Sequence, residues 1–182
     1  MKKRLQIWVM GSAADLWYAE VIEEKAFEIG KEIAKRWHIL IFGAEKDVDS
    51  LSSASARWAK EAGGLTVWVT YWRYPDIYPP MKKYTDVIIN SGMDRGGGRE
   101  FVLVASTDAI IALGGGSWTL NEITIAYQKK IPIVVIKWTW GRADKLADTY
   151  IDERYKQDPS RPICRGVNDA SEALNWIEGQ IF

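Results

Sequence analysis

Short apolar runs, separated by segments of helical periodicity, constrain this chain more than any other feature of its sequence. The runs fall at residues 6–10, 39–42, 65–70, 86–90, 109–113, 133–137 and 162–165. They are rich in Val and Ile and do not alternate, as expected of strands buried on both faces of a sheet. Strands joined through intervening helices pair in parallel, by right-handed crossovers. The pattern therefore predicts an α/β, Rossmann-like fold, with a mostly parallel central sheet flanked by helices on both faces.

The helical segments are equally legible. Residues 16–37 place Val21, Ile22, Phe27, Ile29 and Ile33 at helical spacing, and residues 49–62 end at Gly63-Gly64. Further helices are expected over 99–106, 119–129 (stopped before Pro132) and 169–178. Two connections are long. Residues 71–85, with three prolines and four tyrosines, read as an ordered surface loop, and residues 138–161 as an insertion helical around 142–155. No internal repeat is visible, and 182 residues suit a single domain spanning 1–182.

Composition narrows the chemistry. Basic and acidic residues balance at 24 each, so no global field draws the chain toward nucleic acid or an anionic membrane. No apolar stretch reaches membrane-spanning length, and the run after Lys2-Lys3-Arg4 is too short for a signal sequence. A soluble, cytoplasmic protein is expected. Cys164 is the single cysteine and His38 the single histidine, the latter read as structural at a helix-to-strand junction. Cysteine-based zinc sites and internal disulfides are excluded. Chemistry must rest on carboxylates, arginine, hydroxyls and backbone amides, with no metal and no resident cofactor expected. The ten tryptophans are scattered, which predicts core and interface packing.

The stretch ALGGGSWTLNEI, residues 112–123, carries the functional signal. Gly114-Gly115-Gly116 leaves a strand and enters a helix, where unpaired amides and the helix dipole suit an anion. Ser117 and Thr119 add hydroxyls. A structural reading competes: Thr119-Leu120-Asn121-Glu122 matches the T-x-x-E capping box, which accounts for both residues with no ligand.

With the upstream segment SGMDRGGGREFVLVASTDAII included, the stretch resembles the LONELY GUY (LOG) nucleoside-monophosphate phosphoribohydrolases. These were long mislabelled lysine decarboxylases. Their Rossmann-like superfamily also holds molybdenum-cofactor carriers and the nucleotide-binding domain of DNA-processing protein A. Arg99, Asp108-Ala109, Gly115-Gly116, Thr119 and Glu122 fall at the group's signature positions. Weaker resemblance runs through Gly11-Ser12 and Phe42-Gly43, and the match lies nearest the members around the molybdenum-cofactor carriers.

The resemblance implies a nucleotide or phosphorylated small molecule as ligand and a homo-oligomer as the assembly. It assigns Arg99 and Glu122 to cleavage of the base–ribose bond, with Gly11, Ser12, Gly43, Gly114, Gly115, Gly116, Ser117 and Thr119 around the ligand. Asp94 and Arg95 are secondary candidates. Two departures stand out. Trp118 replaces a family glycine, and the second glycine loop is reduced to Gly43 followed by acidic residues. Phosphoribohydrolase, non-catalytic carrier or sensor, and assembly protein with a vestigial pocket are the three readings the sequence leaves.

Overall fold

The computed structural model describes residues 3–43, 47–71, 78–94 and 98–182. Its centre is one sheet of β1 (Gln6–Gly11), β2 (Ile39–Phe42), β3 (Leu65–Thr70), β4 (Val87–Asn90), β5 (Ala109–Leu113), β6 (Ile133–Ile136) and β7 (Cys164–Val167). The strand order is β4-β3-β2-β1-β5-β6-β7, and every pairing is parallel. The helices are α1 (Glu23–Lys35), α2 (Leu51–Glu61), α3 (Arg99–Ala105), α4 (Ser117–Gln128), α5 (Gly141–Leu146) and α6 (Ala170–Ile181).

Strand period and burial explain the layers. Along β1, Ile7 and Val9 join a core with α1, α2 and α6, whereas Trp8 and Met10 join a second core with α3, α4 and α5. Successive side chains point to opposite faces, so a continuous apolar run can feed two cores. The doubly covered α/β sheet expected from the sequence is the observed fold.

Several local expectations are corrected. α1 begins only at Glu23, after a 3₁₀ turn at Glu20–Ile22. The last strand starts at Cys164 rather than at residue 162, since Pro162 has no N–H to give a ladder. The helix expected around 142–155 is α5 alone, followed by a 3₁₀ turn at Glu153–Lys156. Asp148 ends that run in left-handed backbone (φ +59°), from which its carboxylate accepts from the Gly166 amide at 3.0 Å. β4 is not buried on both faces, because it is an edge strand with all four residues exposed.

The tryptophans divide between core and surface. Trp8 and Trp68 fill the cores, but Trp17, Trp37, Trp58, Trp118, Trp138 and Trp140 are exposed. His38 does join helix to strand: it is buried, its Nδ1 accepts from the Leu5 amide at 3.2 Å, and its Nε2 lies 2.9 Å from Glu178 Oε1. Cys164 is buried in β7, and burial pushes its thiol up to about 12. Among the described residues, no helix is long and apolar enough to cross a membrane, and no cluster of His, Cys, Asp and Glu could hold a metal ion.

Candidate functional site

The strand order reverses at β1, which is flanked by β2 on one side and β5 on the other. Loops diverge beyond the carboxyl ends of such strands and leave a crevice, the usual place for a ligand in an open parallel sheet. At the end of β5 the chain turns through Gly114 (φ +57°) and Gly115 (φ +81°). A Cβ on Gly114 would stand 2.6 Å from Ser12 Oγ, and one on Gly115 would collide with the Thr119 side chain. Backbone conformation and lack of space both require glycine here.

The turn is held from inside. The Gly115 amide donates to Ser12 Oγ at 2.8 Å, and the Gly114 amide to Thr139 Oγ1 at 2.9 Å. Their carbonyls accept from the Arg142 and Ala143 amides. Ser12, Gly114 and Gly115 are thus buried scaffold, whereas Gly116 and Ser117 are exposed at the start of α4.

Because the double glycine reverses the chain so sharply, α4 starts at Ser117, two residues before the expected Thr119. Gly116 is its N-cap and makes no side-chain cap. The capping box is therefore corrected: with Gly116 as Ncap, Thr119 is the third residue of the helix and Glu122 the sixth, so neither holds the position that box requires. Trp118 adopts ordinary helical backbone, and Gly114 and Gly115 supply the left-handed residues. Trp118 therefore needs no left-handed backbone.

Thr119 and Glu122 instead face a cleft with Gly11, Gly43, Arg99 and Trp118 in its wall. Its cavity measures about 60 Å³. That space suits a few waters or a phosphate-sized group rather than a whole nucleotide. Arg99 is 4% exposed and Glu122 8%. The Arg99 guanidinium lies 3.8 Å from the centre of the Tyr71 ring and 3.3 Å from Glu100 Oε1. A Cβ on Gly43 would come 2.7 Å from Leu103 and 3.3 Å from the guanidinium. The surviving glycine of the reduced loop thus gives Arg99 room.

Five sequence candidates meet in the cleft wall: Gly11, Gly43, Arg99, Thr119 and Glu122. Of the secondary candidates, Asp94 is exposed and absent from the wall, while Arg95, like Gly96, Gly97 and residues 44–46, lies outside the described residues. Residues 72–77 of the loop expected at 71–85 do too, while its end forms a 3₁₀ helix at Pro79–Tyr84.

Sequence reasoning missed Tyr71, Ser50, Ser52 and Glu100. Only Glu100, adjacent to Arg99, carried a usable signal. Ser50 caps α2 by accepting from the Ser53 amide, and Ser52 Oγ donates to the Val9 carbonyl at 2.6 Å. Asp49, one of the acidic residues after Gly43, bonds Arg57 at 2.7 Å and is not in the cleft wall.

Comparison with known proteins agrees with this architecture. The model of the SLOG cluster4 family matches residues 4–165. An uncharacterized protein of Archaeoglobus fulgidus is 33% identical over 143 residues, which cover 74% of this chain and 82% of the relative. The structural-genomics target TM1055 superposes with a TM-score of 0.80 at 21% identity, covering 96% of this chain and 99% of its own. The molybdenum cofactor carrier protein of Chlamydomonas reinhardtii superposes with a TM-score of 0.74 at 24% identity, covering 97% and 98%.

Proposed function

This chain belongs to the SLOG cluster4 family, and on that premise we propose that it binds a phosphorylated, nucleotide-like small molecule and carries it without turnover. The observation that supports this most is the convergence of Arg99, Thr119 and Glu122 in one cleft at the strand-order reversal. The guanidinium offers a planar fork to phosphate or sugar oxygens, Thr119 offers a hydroxyl, and Glu122 accepts from sugar hydroxyl donors. A cavity of about 60 Å³ takes the compact polar end of such a ligand and leaves the remainder outside. Likeness to a molybdenum cofactor carrier over nearly the whole of both chains favours the carrier class.

The hydrolase stands second, favoured by the inward placement of Glu122, which no capping role explains. A carboxylate there suits a transition state of oxocarbenium character. Native mass spectrometry of the purified protein is expected to show a retained phosphorylated ligand, and incubation with GMP is expected to release no guanine. Guanine release that Glu122→Gln lowers about a thousandfold, with GMP binding kept, replaces the carrier by the hydrolase.

The assembly we propose is a homo-oligomer. Val87, Ile88 and Ile89 leave an apolar edge strand exposed, and such edges are normally covered or charged. Light scattering is expected to give a multiple of the chain mass, reduced by Ile88→Lys. A monomeric mass for the parent at micromolar concentration removes the proposal.

A further inference from the structure

Resting on the reading of the cleft as a site for the ligand's phosphorylated end, we propose that Trp17 and Trp140 form the seat for its planar heteroaromatic ring. Three observations lead there. The first is position. On that reading the cavity of about 60 Å³ takes the phosphorylated end and the ring lies beyond it, and these indoles, which are not in the cleft wall, belong to the structure built around the same glycine turn. Gly141, next to Trp140, packs so closely on the turn that a Cβ would stand 2.5 Å from the Gly115 carbonyl oxygen. Thr139, on its other side, is fully buried and accepts from the Gly114 amide. Tyr18, next to Trp17, comes within 2.9 Å of a Cβ built on Gly114.

The second is exposure combined with ring contact. Trp17 is 74% exposed and Trp140 44%, yet their rings lie 5.8 Å apart, and Tyr18 meets Trp17 edge-on at 5.4 Å. Preorganised indoles lose little freedom when a flat ring lands on them, and base–aromatic stacking tolerates many rings.

The third is backbone strain. Trp140 holds φ +54° and ψ −167°, a region occupied essentially by glycine, and Trp138 holds φ +63°. A bulky residue kept in such a conformation, with its side chain turned to solvent, marks a place where strain is maintained for function.

The test measures calorimetric affinity for two probes, GMP and ribose 5-phosphate, which lacks the ring. Trp17→Ala and Trp140→Gly are each expected to weaken GMP about tenfold and to leave ribose 5-phosphate unchanged. Trp140→Gly also removes the strain, so it is expected to unfold no earlier than the parent, and Trp17→Ala provides a second variant free of that change. Unchanged GMP affinity in both variants, with the parent binding both probes, overturns the ring seat and leaves the cleft reading intact. Loss of both probes in equal measure also overturns the seat, since it reports damage to the phosphate end. A parent that binds neither probe overturns the cleft reading together with the seat. If the indoles instead hold a second copy of the chain, light scattering shows a lower mass for the variants while GMP affinity stays fixed, and the ring seat falls.

Discussion

Arg99→Ala is expected to weaken GMP binding about a hundredfold and to lower stability by about 3 kcal/mol. Two causes act on one residue. Among the described residues the guanidinium is the cation in the cleft wall, so its removal takes away charge-assisted hydrogen bonds to the ligand. It also lies 3.3 Å from Glu100, and both side chains are almost fully buried. Alanine leaves that carboxylate buried without its ion pair, the situation in which breaking a buried pair costs most. The Tyr71 ring loses the cation stacked on it as well.

A second substitution separates the effects. Adding Glu100→Gln to Arg99→Ala removes the stranded charge, so most of the stability returns while the affinity stays low. Denaturant unfolding and calorimetry read the two quantities independently. If Arg99→Ala binds GMP like the parent, Arg99 is only part of a structural ion pair and the cleft reading loses its anchor.

Gly30→Val is expected to destabilise the fold by about 3 kcal/mol or more, although it lies in the middle of α1 and away from the cleft. A Cβ at Gly30 would run into the Ser55 carbonyl oxygen and come 3.0 Å from the Ala59 amide nitrogen, both backbone atoms of α2. Neither can move aside as a side-chain tip does, so the helices must part. Even Gly30→Ala, which in an exposed helix interior stabilises by about 1 kcal/mol, is expected to lower Tm here. α2 also carries Ser52, in the cleft wall, with Ser50 as its N-cap. A displaced α2 therefore weakens GMP binding as well. A Tm for Gly30→Ala at or above that of the parent contradicts the backbone contact.

Much of this protein is determined by the sequence by itself, because the determining forces are local. Apolar runs of strand length alternating with helical periods specify the parallel sheet, and β2, β3 and β5 fall at the residues read from the pattern. Gly114 and Gly115 mark the turn because only glycine tolerates its backbone. Arg99, Thr119 and Glu122 could be singled out from their spacing along a resemblance.

What only the tertiary structure decided involves partners distant in sequence. Whether Thr119 and Glu122 cap α4 or face a cleft depended on where that helix starts. That start follows from a turn tied to Ser12, 103 residues upstream of Gly115, and to Thr139 downstream. Tyr71 reaches Arg99 because β3 and α3 meet at the same end of the sheet, and no local period encodes that meeting. β4 looks like an inner strand in sequence and is an edge, because strand order is set by crossovers and not by the run itself. Ring clusters such as Trp17 with Trp140 carry no periodic signal either. Periodicity reports which face of an element is buried, while convergence of side chains is settled by the packing of elements far apart in the chain.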